Sequence, residues 1–175
     1  DCFVNLCEGY LEWEVPSIDV MYTLELLNLP YTGPNTLLYD PPKELMKYVA
    51  YTEGVATANY ALIETVDQLE KQVKHLSYPL FVKPAKAGDS LGIDEHSVCN
   101  NLDELKHKAA TVLSSYQQLL VEEYIAGREF TVLVAANAKD EKKCSVFQPI
   151  EFIFPEGRTF KTYALKTSEL HPESN

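Results

Sequence analysis

Pro79-Leu80-Phe81-Val82-Lys83-Pro84-Ala85-Lys86-Ala87-Gly88-Asp89-Ser90-Leu91-Gly92 is the stretch on which the reading of this chain turns. Residues 79–84 form a short apolar run, the mark of a buried strand, and that run delivers one lysine to its end. An ammonium beside a buried strand is costly unless an anion meets it. The loop that follows sets Gly88 and Gly92 around a serine. Glycine admits close approach and unusual dihedral angles, so backbone N–H groups there can cradle phosphate oxygens. Strand, lysine and glycine loop together predict a nucleoside triphosphate site. The loop is not of the Walker type, because G-x-x-x-x-G-K-[ST] is absent.

Composition bounds the alternatives. The 175 residues are 46% hydrophobic and 23% charged, which is ordinary for a folded protein and argues against disorder. Formal net charge is −11. It is concentrated toward the start, where residues 1–60 hold nine acidic and two basic side chains. Such a chain has no electrostatic footprint for nucleic acid, so lysines near glycine loops stand out as local anion sites. No apolar run approaches the ~20 residues of a membrane helix, and no secretory signal is visible. Cys2, Cys7, Cys99 and Cys144 are scattered, without zinc spacing, and read as reduced thiols of a cytoplasmic protein. The chain begins on Asp1 rather than Met, inside a strand-like run, so a missing native N-terminus is expected.

Helices are expected from a Ser17 cap to Asn28, with Ile18, Met21, Leu24 and Leu27 as its apolar positions, from Pro42 to about Glu53, after the capping-box match Thr65-Val66-Asp67-Gln68, and after a second match at Asn101-Leu102-Asp103-Glu104, with Leu105, Ala109, Val112 and Leu113 as apolar positions. Strands are expected at 79–84, around Gly92–Val98, at Leu119–Ile125, at Glu129–Ala136 and at Val146–Phe154, with a hairpin connection over Asn137–Lys143. The pattern is α+β, with helices on one side of an antiparallel sheet.

A second segment, Val121-Glu122-Glu123-Tyr124-Ile125-Ala126-Gly127-Arg128-Glu129-Phe130-Thr131-Val132, completes the motif. Together with the V-K-P strand and glycine loop, it resembles the ATP-grasp ligases. Asn5-Leu6-Cys7-Glu8-Gly9 and Asn28-Leu29-Pro30-Tyr31-Thr32-Gly33 narrow the resemblance to the D-alanine–D-alanine ligase branch and its relatives. The implied organisation is the end of an N-terminal α/β substrate domain over 1–40, a linker helix over 41–60, the ATP-grasp central domain over 61–160, and the start of a lid loop over 161–175.

The resemblance implies an ATP-dependent carboxylate–amine ligase working through an acyl phosphate. A non-catalytic ATP-binding module derived from one is the alternative. It implies that Lys83 contacts the α-phosphate and that Lys43, or Lys47 one turn later, contacts another phosphate. Gly88, Asp89, Ser90 and Gly92 would fold over the outer phosphates. The family more often has two serines where this chain has Asp89-Ser90. Glu122, Glu123, Tyr124 and Ile125 match the adenine-binding edge, and Glu129 the acid on the ribose hydroxyls. Tyr163 and Lys166 match a Y-x-x-K lid and, with Ser90, are the catalytic candidates, Lys161 being the alternative lid lysine. Glu8 and Glu14 fall where these enzymes line the pocket of a small, amino-acid-like substrate. Magnesium is implied as well, its ligands expected beyond residue 175, so the chain alone is expected to lack turnover. The resemblance leaves room for a homodimer.

Overall fold

The computed structural model describes residues 2–7, 18–88, 90–137, 140–154, 157 and 159–164. They belong to two compact units, Asp1–Tyr124 and Ile125–Asn175. Among the described residues, no helix is long and apolar enough to cross a membrane.

The first unit opens with Phe3 bridged in parallel to Tyr31, then α1, Ile18–Leu26, which buries Met21 and Leu24. Its expected continuation to Asn28 stops short. Asn28 takes a left-handed φ of 51°, and Leu29 N–H donates back to the Leu24 carbonyl at 2.9 Å, a Schellman ending. Leu27, expected on the apolar face, is exposed. Helix α2, Lys43–Thr52, starts after Pro42, and ends in the same way. Gly54 has φ +70°, and Val55 N–H donates to the Ala50 carbonyl at 2.8 Å.

A four-stranded antiparallel sheet follows, in the order β1-β4-β2-β3. Its strands are β1 (Tyr60–Ile63), β2 (Leu80–Pro84), β3 (Val98–Cys99) and β4 (Leu119–Glu123). Helices α3 (Val66–Gln72) and α4 (Leu102–Leu113) pack on one face. Side chains alternate along a strand, so Ala61, Ile63, Leu80, Val82, Leu119 and Val121 meet Leu69, Val73, Leu105, Ala109 and Val112 in one core. Burying a Leu or Val fully stabilises by about 1.5–3 kcal/mol, and this layer holds the sheet rigid. The capping-box match at Thr65 gives a helix, but its side chain makes no cap bond. At α4, Asn101 Oδ1 accepts from Glu104 N–H at 3.0 Å, while the Glu104 carboxylate takes Asn100 N–H, one residue earlier than a capping box requires.

The strand expected around Gly92–Val98 is corrected. The segment is a 3-10 turn, Glu95–Ser97, capped reciprocally by Asp94 and Ser97, and only Val98–Cys99 pairs with the sheet. Asp and Ser side chains compete for backbone groups that a strand would need.

In the second unit, β5 (Glu129–Thr131) pairs with β8 (Ile150–Phe152), and β6 (Val134–Asn137) with β7 (Asp140–Val146). The run expected as one strand over Glu129–Ala136 is thus two pieces. The connection expected over Asn137–Lys143 is shorter, since β7 already begins at Asp140. Val146–Phe154 is also divided, with Val146 closing β7. Pro149 lies in the gap and has no N–H to give to a ladder.

Candidate functional site

Opposite the core face, the alternation of β1, β2 and β4 sets Tyr60, Phe81, Lys83, Leu120 and Glu122 on one surface. Registers confirm it, with Lys83 facing Leu120 and Glu122 lying between Phe81 and Tyr60. Leu120 is fully buried and forms the floor. Helix α2 contributes two lysines one turn apart, Lys43 and Lys47, on a shared helix face.

The charges converge on Glu122. One of its carboxylate oxygens pairs with the Lys83 ammonium, and the other lies 2.8 Å from Lys47 Nζ. Lys47 also donates to the Ala58 carbonyl at 2.9 Å and sits over the Tyr60 ring. The three side chains are only 11–20% exposed. Burial pushes the Glu122 carboxyl up, but the charge of Lys83 and the hydrogen bonds from Lys47 and Lys83 outweigh it and hold the group below its ordinary range. Lys43 N–H donates to the Ala85 carbonyl at 3.2 Å, and Lys43 Nζ donates to the Ala87 carbonyl at 2.6 Å. Burial, followed by the charge of Lys83, pushes the Lys43 ammonium down. The helix and the end of the inner strand β2 thus hold two ammonium groups, Lys43 and Lys83, close enough for the charge of Lys83 to disfavour that of Lys43.

The glycine loop leaves β2 directly beside Lys83. Ala87 (φ 120°), Ser90 (59°) and Gly92 (74°) all have positive φ. For Ala87 and Ser90 this is strained backbone of the kind that clusters where ligands are clamped. Leu91 N–H donates to the Gly88 carbonyl at 3.1 Å and Ile93 N–H to the Ser90 carbonyl at 3.0 Å, winding the loop into successive turns. Gly92 presses on the strand end, where a Cβ would lie 2.8 Å from Pro84 Cγ.

Glu123 points to the other side. Its carboxylate accepts Ser77 N–H at 2.8 Å and Asn59 Nδ2–H at 3.0 Å, tying strand ends together. Tyr124 N–H donates to the Pro79 carbonyl at 2.9 Å, and its ring stacks with Phe81 at a centroid distance of 6.1 Å. The structure therefore gathers Lys43, Lys83 and Glu122 beside Gly88, Ser90 and Gly92, and adds Lys47 as a partner of Glu122. The i, i+4 spacing of Lys43 and Lys47 was the signal for that last residue.

Ile125, Glu129 and Tyr163 belong to the second unit. Ile125 is exposed, Glu129 is half-buried on β5 opposite Phe152, and Lys161 Nζ lies 4.0 Å from the Phe152 ring centroid. Tyr163 is half-buried in a short helical turn. Glu8, Glu14, Asp89 and Lys166, with the cap candidate Ser17, lie outside the described residues. A separate open groove of about 450 Å³ runs along the C-terminal half of α2, lined by Tyr48, Tyr51 and His75, and shares only Lys47 with the charged cluster. Among the described residues, no group of three or more His, Cys, Asp or Glu side chains can hold a metal ion.

A lysine-lined strand end beside a glycine loop bears on the comparison with known proteins. The family model for the D-ala D-ala ligase C-terminus matches residues 49–171. The chain belongs to this family. The D-alanine–D-alanine ligase of Bacillus velezensis is 40% identical over 131 residues, covering 70% of the chain and 36% of the relative. That of Geobacillus thermodenitrificans is 38% identical over 135 residues, covering 70% and 35%. The chain thus spans about a third of the length of these relatives.

Solved structures carry the same fold. D-alanyl-alanine synthetase A from Vibrio cholerae superposes with a TM-score of 0.69 at 23% identity, covering 90% of this chain and 47% of that one. D-alanine–D-alanine ligase from Helicobacter pylori gives 0.65 at 21% identity, covering 97% and 57%. The ATP-grasp fold expected from the sequence is therefore the fold of this D-ala D-ala ligase C-terminal family member.

Proposed function

We propose that this chain carries the ATP-binding part of a ligase that joins a carboxylate to an amine, the carboxylate belonging to a small amino-acid-like substrate. The observation that supports this most is the convergence of Lys43, Lys47 and Lys83 around Glu122 at the mouth of the glycine loop. In this reading ATP phosphorylates the substrate carboxylate, releasing ADP. The amine then attacks the acyl phosphate carbon and expels phosphate, forming the amide. Positioning and charge stabilisation supply the acceleration, since phosphoryl transfer leaves the protein little covalent chemistry.

Lys83 leaves Glu122 for the phosphate nearest the ribose, and Lys43 leaves the Ala87 carbonyl for an outer phosphate. Loop N–H groups and the Ser90 hydroxyl hold the outer phosphates. Glu122, Tyr124 and Ile125 edge the adenine, with Glu129 on the ribose and Tyr163 and Lys166 in the lid. Glu123, already held by Ser77 and Asn59, contributes backbone groups to the adenine edge. Glu8 and Glu14 line the substrate side. The described residues do not provide a magnesium site, so no step is assigned to the metal. A cytoplasmic setting, where ATP is abundant, fits the chemistry.

The test is nucleotide selectivity. Ligand at a hundred times its dissociation constant stabilises by about 2.7 kcal/mol when it binds the folded state alone. ATP should raise the melting temperature of the chain and GTP should not, because a strand-edge donor and acceptor pair reads adenine but not guanine. Equal protection by both nucleotides, or by neither, refutes the proposal.

A further inference from the structure

Lys108 is the one described lysine whose side chain is almost wholly buried, at 4% exposed. It occupies α4 among Leu105, Ala109 and Val112, positions that fill the core. An apolar residue would fill this place without the desolvation cost that a buried ammonium carries. What the lysine adds is a pair of fixed, charge-assisted donor bonds. Its Nζ donates to the Gly92 carbonyl at 3.0 Å and to Asp94 Oδ1 at 2.8 Å. Asp94 Oδ1 in turn accepts His96 N–H at 2.9 Å and lies 3.5 Å from Ser97 Oγ, capping the turn that returns the chain to the sheet.

Both partners of Lys108 lie at the C-terminal end of the glycine loop. Gly92 is pressed on Pro84, the residue after Lys83, too closely to admit a Cβ. Two turn hydrogen bonds, from Leu91 to Gly88 and from Ile93 to Ser90, carry that placement back through the loop. Lys108 therefore fixes, from the far side of the sheet's core, the point from which the loop is hung.

We propose that Lys108 is a positioning residue for outer-phosphate recognition: by pinning Gly92 and Asp94 it holds the Gly88–Gly92 loop in the conformation that meets the phosphates beyond the first. This rests on the nucleotide reading above. It separates two halves of that site. Adenine and the first phosphate depend on the strand edge and Lys83, whereas the outer phosphates depend on the loop and hence on Lys108.

Titration calorimetry of the full chain with ATP and with AMP tests it, on the wild type, Lys108→Met and Asp94→Asn. A charge-assisted bond supports an effect on the order of tenfold. Lys108→Met should weaken ATP about tenfold and AMP less than twofold, and amide hydrogen exchange at Leu91 and Ile93, whose N–H groups make the loop's turn bonds, should quicken while Val82 and Val121 stay protected. Asp94→Asn, which keeps a capping oxygen and loses the charge, should shift the ATP-to-AMP ratio in the same direction by a smaller factor, and it carries the test should Lys108→Met not fold. An unchanged ratio, or equal weakening of both nucleotides, overturns the assignment of Lys108 while the nucleotide site stands. A wild-type chain that binds neither nucleotide overturns the nucleotide reading itself, and this inference with it.

Discussion

Replacing Glu122 with glutamine tests the electrostatic design of the site, because the change keeps the shape of the side chain and removes its charge. In the wild type that one carboxylate faces Lys83 and Lys47 directly, with Lys43 close enough to feel Lys83. Removing one partner of a buried ion pair costs about 3–5 kcal/mol, whereas exposed pairs contribute about 0–1 kcal/mol. These groups are 11–20% exposed, and an amide oxygen can still accept one hydrogen bond. A loss of roughly 2 kcal/mol at neutral pH lies between those limits. With a urea dependence of about 2 kcal/mol per molar, the unfolding midpoint should fall by about 1 M.

The pH dependence gives a second handle. The folded-state value of Glu122 is depressed, so its contribution is fully present above the unfolded carboxylate value of about 4.3 and is lost as pH falls through the lower folded value. Urea unfolding of both proteins across a pH series should therefore show a deficit that is constant from neutral pH to about 5 and closes below about 4. Equal midpoints at pH 7, or a deficit that widens toward acid, would refute the view that Glu122 is the counter-charge of the lysine cluster.

Gly92→Ala should destabilise the chain by roughly 3 kcal/mol in urea unfolding, combining a left-handed backbone with a Cβ driven into Pro84; a loss under 1 kcal/mol would mean the loop end is not pressed on the strand as described. Lys43, pushed down by burial and by Lys83, should regain its proton when triphosphate arrives, so ATP binding just below the ordinary lysine value of about 10.4 should take up protons. Calorimetry in two buffers of different ionisation heat measures this, and uptake that persists in Lys43→Met would exclude Lys43 as its source. Burial, and then the charge of Glu104, pushes the Cys99 thiol up to about 11. A disulfide reagent at pH 8 should modify the exposed Cys2, Cys7 and Cys144 in the folded chain and reach Cys99 only after urea is added.

The sequence made some of this legible because the signals were local. An apolar run ending in Lys83 placed β2 within one residue, and the three-to-four spacing of Leu105, Ala109 and Val112 placed α4 and its buried face. Boundaries failed where a polar side chain or a proline outweighed the pattern, as at Asp94 and Ser97 or at Pro149. In the site, the pattern favoured Glu122 over Glu123 for nucleotide contact but did not say what either side chain faces. Neighbouring strand residues face opposite ways, but only the register against β2 and β1 shows that Glu122 faces the lysines and Glu123 the strand ends. Lys108 was invisible for a related reason. A lysine at an interior helix position looks like an ordinary solvated residue until the fold brings a loop carbonyl and a carboxylate to its tip.

If ATP binds as proposed, the same geometry sets what that binding must accomplish. In a chain of net charge −11, three lysines close together could be left as bare cations, and an incoming phosphate would then gain their full attraction. Here Lys83 and Lys47 share Glu122, and Lys43 is held by a carbonyl. In the proposed reading phosphate enters by exchange, taking Lys83 from Glu122 and Lys43 from Ala87, while Lys47 stays to keep the released carboxylate paired. The net gain is smaller than three free ammonium groups would give, but the lysines already stand in place, so little side-chain ordering remains to oppose binding. Such an arrangement trades raw affinity for preorganisation. That suits a site whose task, in the proposed reaction, is to stabilise charge moving along a phosphate chain rather than to hold the nucleotide as tightly as it can.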